Sequence, residues 1–218
     1  MTYVAKRFCR AAALAAVAAF AALPVLAGDI TTEWANVKLP PVPQLKPATV
    51  DPKTTALFVL DMMKGNCGVR PRCGATVPTV KKLIDAARAH GMMVVYNLTG
   101  RSTPADMIDQ SLAPRAGEFM IKDGRGADKF IRSNLDQGLK DKGIKTVIVT
   151  GTSAQGAVSG TSNGAAQRGY KVIVPVDGMS SEEAFNELYA AWHLYKGGPA
   201  ALTNNVTVTR SDLIKFGD

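Results

Sequence analysis

Apolar positions along this chain fall into two rhythms. Short runs that are apolar almost without a break occur at 55–60, 92–96, 119–122, 145–150, 171–176 and 206–209, each bounded by turn or polar residues. Runs of this length and content suit strands buried on both faces. Between them the spacing changes. Residues 77–90 carry Val80, Leu83, Ile84 and Ala87 on one helical stripe, ended by Gly91. A second helix is expected over 135–142, stopped by Gly143, a third made of small residues over about 154–168, and an amphipathic one over 182–195. Strand and helix alternating in this way predict a three-layer α/β/α fold, a mostly parallel sheet flanked by helices. Phe185, Tyr189 and Trp192 lie at helical spacing and read as core or as a subunit contact.

The pattern fails at both ends of the first quarter. Lys6, Arg7 and Arg10 precede an Ala-rich apolar run from Ala11 to Leu23, and Val25, Leu26 and Ala27 follow Pro24. A basic head, an apolar middle and small residues before a break predict a secretory signal peptide over 1–27. The run is shorter than the roughly 20 apolar residues that a spanning helix needs. The mature chain is thus expected in the periplasm or secreted, with no membrane contact after cleavage. Residues 28–53 are rich in proline and lack periodicity, which predicts an extended lead-in that wraps the domain or stays mobile. Residues 54–218 then form one α/β domain.

Charge excludes more than it assigns. The chain carries +8, of which the leader's Lys6, Arg7 and Arg10 account for three. The remaining lysines sit among acids on solvated faces, as Lys81 and Lys82 or Lys140, Lys142 and Lys145 do. No basic stripe marks a nucleic-acid partner. Cys9 falls in the leader, which leaves Cys67 and Cys73. In an oxidising compartment so close a pair reads first as a disulfide, with two free thiols as the alternative. No metal site is expected, because His90 and His193 are the sole histidines and stand apart from both cysteines.

In open parallel sheets the ligand lies beyond the carboxyl ends of the strands. That rule selects Asp61, the stretch 97–101, Lys122, the turn 151–157 and Asp177. Asp61 directly follows a buried run and suits proton transfer. Lys122 would bring a cation to the same crevice. The turn with Ser153, Gly156 and Ala157 opens a helix, and its N–H groups would cradle an anion. Arg101 and Arg125, on loops over the crevice, could clamp a carboxylate of a small-molecule substrate. Asp123 and Asp128 read as turn and cap residues, and Asp177 as a cap of its own turn.

Four segments in order carry a wider resemblance: Leu57-Phe-Val-Leu-Asp61-Met; Met120-Ile-Lys122 with Phe130 and Leu135; Ile148-Val-Thr-Gly151-Thr-Ser; and Gly169-Tyr-Lys-Val-Ile-Val-Pro-Val-Asp177-Gly. Together they resemble the isochorismatase-like cysteine hydrolases, over about 54–210. The resemblance implies a doubly wound α/β fold, homo-oligomeric subunits, no cofactor, and an Asp-Lys-Cys triad that hydrolyses small amides or, in some members, vinyl ethers. By position Asp61 would be the acid/base and Lys122 the orienting cation. Ala157 stands where the nucleophilic thiol belongs. The expectation is therefore a thiol-independent hydrolase of an amide-, ester- or vinyl-ether-type bond in a small metabolite. Displacement of the nucleophile to Ser153, Ser159 or Cys67 is a lesser option. The alternative is a catalytically inactive periplasmic ligand-binding pseudoenzyme. The metal-dependent nicotinamidase branch is disfavoured, since its Asp-x-His cluster is missing.

Overall fold

The computed structural model describes residues 28–99 and 103–217. The leader and Arg101 lie outside the described residues. Two compact units divide at Leu39 and Pro40. In the first, α1 (Ile30–Glu33) is capped by Asp29, whose carboxylate accepts the Thr31 N–H at 2.8 Å. A single 3-10 turn, Trp34–Asn36, follows it.

The second unit holds the sheet. Its strands in chain order are β1 (Ala48–Val50), β2 (Thr55–Leu60), β3 (Met93–Asn97), β4 (Phe119–Ile121), β5 (Thr146–Thr152), β6 (Lys171–Pro175), β7 (Met179–Ser180), β8 (Val206–Thr209) and β9 (Ile214–Phe216). The main sheet runs β4-β3-β2-β5-β6-β8 with every pairing parallel, and β7 adds to the end of β5. The helices are α2 (Lys64–Cys67), α3 (Pro71–Ala89), α4 (Leu135–Asp141), α5 (Ser159–Gln167), α6 (Ala184–Trp192) and α7 (Ala200–Thr203). This is the three-layer α/β/α arrangement that the two rhythms predict.

β2 lies at the centre with all six residues buried. Because successive side chains leave a strand on opposite faces, Ala56, Phe58 and Leu60 pack with Leu135 and Leu139 of α4, Ala165 of α5 and Ala190 of α6. Leu57 and Val59 pack on the other face with Val80, Leu83, Ile84 and Ala87 of α3. Each buried Leu or Ile of that stripe contributes roughly 1.5–3 kcal/mol of transfer free energy. α3 begins at Pro71, six residues before the expected start at 77, because proline suits the first helical turn.

Three expectations change. The lead-in is partly built into the fold: β1 pairs in parallel with β9, a strand the hydropathy pattern does not signal, and the compact unit starts at Pro40 rather than 54. Backbone pairing at Ala48–Val50 needs no apolar periodicity, so composition misses it. Phe185 and Tyr189 are exposed and so do not belong to the core of this chain. Asp177 accepts both the N–H and the hydroxyl of Ser211, at 2.8 and 2.6 Å, and so ties two distant turns together instead of capping its own.

Candidate active site

The carboxyl ends of β2, β3 and β5 converge on Asp61. β2 delivers it one residue beyond Leu60, in the left-handed region at φ 54°. Leu60 is in register with Gly151 of β5, where φ is 125° and a Cβ would stand 2.1 Å from the Leu60 carbonyl oxygen. Only glycine allows that approach, so β5 can turn into the site directly beside Asp61.

Three side chains hold Asp61. Asn97, the last residue of β3 and 1 % exposed, donates its Nδ2 to Asp61 Oδ1 at 2.6 Å and accepts the Asp61 N–H on Oδ1 at 3.0 Å. Asn66 on α2 donates to the Asp61 carbonyl at 2.7 Å. Lys129 Nζ lies 2.9 Å from Asp61 Oδ2, with its side chain only 4 % exposed. Paired in this way, the two charges each offset the other's desolvation.

The cation beside Asp61 is Lys129, and Lys122 is exposed. Lys122 does follow β4, but its N–H is taken by Asn134 Oδ1 at 2.7 Å, and the chain runs on to residue 129 before it turns inward. α5 steers that turn. Thr161 accepts the Lys129 N–H at 3.2 Å and donates to the Ala127 carbonyl at 3.1 Å. At Gly160 a Cβ would lie 2.7 Å from the Ala127 carbonyl carbon, and at Gly164 2.4 Å from Asp128 Oδ1. These hydrogen-sized side chains let the loop rest on the helix and drop Lys129 into the interior. The sequence holds a signal for this: two glycines one helical turn apart, and a lysine directly before the buried Phe130. Asn97 is likewise legible only as a strand end.

The turn after β5 contains the peptide Thr152–Ser153, which is cis, and a π-helical turn over Ala154–Val158. Gly156 and Val158 both donate their N–H to the Ser153 carbonyl, at 3.1 and 3.2 Å. The cradle expected at Ser153, Gly156 and Ala157 is therefore narrower, because the Gly156 donor serves the turn itself. Ala157 is buried, and the Ser159 hydroxyl donates to the Ala154 carbonyl at 2.7 Å. Ser159 thus serves the backbone of the turn.

Cys67 and Cys73 are joined, with sulfurs 2.02 Å apart. The bond closes the loop that starts directly after Asn66 and so braces the support under Asp61. Cys67 is thereby withdrawn as a nucleophile. His90 packs edge-on against Phe216, and His193 stacks on Tyr189 while meeting Asn163 Nδ2 at 3.3 Å. Arg125 lines a cavity of about 570 Å³ with Leu98, Met120, Ile121, Lys122, Asp123 and Gly124.

Behind the site, Arg88 of α3 makes two bonds to Glu118, at 2.8 and 2.9 Å, and one to the Ala113 carbonyl. Burial pushes the Glu118 carboxyl up, but the Arg88 bonds and the Arg115 N–H outweigh it and hold it below the ordinary value. Burial pushes the neighbouring Tyr96 hydroxyl well above its usual range.

Comparison with known proteins agrees with this picture. The family model for the isochorismatase domain matches residues 55–205. An N-carbamoylsarcosine amidase from Arthrobacter is 28% identical over 178 residues, which cover 68% of this chain and 66% of that enzyme. The chain thus spans just under two thirds of the amidase. An uncharacterized isochorismatase family protein from Bacillus subtilis is 28% identical over 153 residues, covering 61% of this chain and 80% of that protein. The crystal structure of an isochorismatase-like hydrolase from Alkaliphilus metalliredigens superposes with a TM-score of 0.65 at 23% identity, over 73% of this chain and 95% of the other.

Proposed function

The chain belongs to the isochorismatase family, and on that premise we propose that it hydrolyses a small metabolite at an amide-, ester- or vinyl-ether-type bond without using a thiol. The observation that carries the reading is the ion pair between half-buried Asp61 and buried Lys129, oriented by Asn97 at the carboxyl end of the sheet. Ala157 offers no nucleophile, so water attacks. Asp61 takes the water's proton and returns it to the departing nitrogen or oxygen, while Lys129 holds the carboxylate in place. For a vinyl ether Asp61 enters as the carboxylic acid, passes its proton to carbon and takes one back from the water that adds, and the hemiketal so formed breaks its C–O bond to give a carbonyl and an alcohol. The likeness to an N-carbamoylsarcosine amidase favours the amide class.

The test is turnover of amides, hydroxamates and vinyl ethers by the mature protein beside Asp61→Asn. Product from the native chain alone supports the reading. Equal activity in both overturns it, and product from neither leaves ligand binding as the role. The same proposal includes export to the periplasm or beyond, which the leader pattern and the Cys67–Cys73 bond support. It also includes a homo-oligomer, to be measured by light scattering.

A further inference from the structure

We propose that the cavity bounded by Leu98 and the stretch 120–125 is a carboxylate-binding subsite, with Lys122 and Arg125 recognising the anionic end of the substrate. The assignment of that ligand as substrate rests on the hydrolase reading above. Both walls of the cavity continue directly from residues that hold Asp61. Leu98 follows Asn97, and the loop that leaves Ile121 returns to Asp61 as Lys129. A molecule of a few carbons in this space is thus bounded by the segments that continue from Asn97 and lead on to Lys129.

The lining has two characters. Leu98, Met120 and Ile121 supply an apolar floor, and Lys122 and Arg125 supply two cations three residues apart. Neither cation enters an ion pair with any other described residue, whereas Asp123, the acid of this wall, already has a partner. The turn between them is fixed by the Arg125 N–H, which donates to the Asp123 carbonyl at 2.7 Å, with Asp123 at φ 59°. A guanidinium and an ammonium over an apolar floor select a ligand with a short apolar body and a carboxylate. Lys122 thereby acquires a role in recognition.

Equilibrium binding of phenylacetate and of its neutral counterpart phenylacetamide separates charge from shape. The native protein should bind the acid about ten-fold tighter, as a charge-assisted contact allows, and the preference should shrink as salt is added. Lys122→Ala/Arg125→Ala alters exposed residues only, and should bring the acid down to the amide's affinity while the melting temperature holds. Equal affinity for the two probes, an unchanged preference in the double variant, or no binding of either overturns the subsite. The readout involves no turnover. Loss of product in Asp61→Asn without acid preference therefore sinks the subsite alone, and acid preference without product from any substrate sinks the hydrolase alone.

Discussion

Thr161 of α5 grips the loop that carries Lys129 at two points, accepting the Lys129 N–H and donating to the Ala127 carbonyl. Its hydroxyl is fully buried and bridges a helix on one face of the sheet to the charged pair at the sheet's end. The position of the site's cation thus depends on a residue that touches no substrate.

Thr161→Val keeps the shape and removes both bonds. It should cost about 1–3 kcal/mol of stability, because a buried donor and acceptor lose their partner. It should also lower kcat more than it changes KM, and Thr161→Ser should restore most of the loss. Denaturant melts and steady-state kinetics on the three proteins check this. A stability loss with kcat unchanged would show that the bridge serves the fold alone.

Lys129 and Lys122 separate in kinetics. Lys129→Ala leaves the half-buried Asp61 without a counter-charge and should lower kcat by about 10²-fold or more. Lys122→Ala should act on KM, in keeping with a place in the recognition wall. The pair Asp61→Asn and Lys129→Met gives a further check through a double-mutant cycle. Each single change strands the partner away from bulk water, so the double variant should be more stable than the sum of the two losses implies.

Ala157→Cys restores a thiol at the position that resemblance assigns to the nucleophile. The variant should gain amidase activity that iodoacetamide abolishes, and should lose it again when Asp61→Asn is added. Alkylation of the introduced thiol followed by mass spectrometry reads its reactivity directly. A reactive thiol with no gain in any substrate would mean that the turn is not shaped for a covalent intermediate.

The Arg88–Glu118 pair predicts acid sensitivity. Glu118 has its carboxyl lowered in the fold from an ordinary value of 4.5. Its stabilisation is therefore complete above that value and is lost as pH falls through the lowered one. Melting temperature should drop on the acid side of pH 4.5, and Glu118→Gln should be less stable at neutral pH with a shallower drop there. Parallel drops in the two proteins would remove Glu118 from the account.

The strands were legible because unbroken apolar runs such as 55–60 admit few other readings, and the ends of those runs located Asp61 without any contact information. Lys129 was not legible in the same way. Which lysine of a loop enters the interior depends on what the loop leans on, and here that is a helix about thirty residues further along the chain. The cradle is narrower than a helix start suggests for a related reason. A helix start predicts free N–H groups, but the π-helical turn spends those of Gly156 and Val158 on Ser153. β9 escaped because a three-residue strand at the margin of the fold carries too short a pattern to register.

The β1–β9 pairing reaches from Ala48 to Phe216 and so spans nearly the whole folded unit. During synthesis β1 leaves the ribosome long before its partner strand. The small sheet can therefore close only once Phe216 has been made. A chain cut short after Arg210 would keep every strand of the main sheet yet leave β1 without its partner strand. Quality-control proteases would meet such a product at the unpaired edge of β1, far in sequence from the cut.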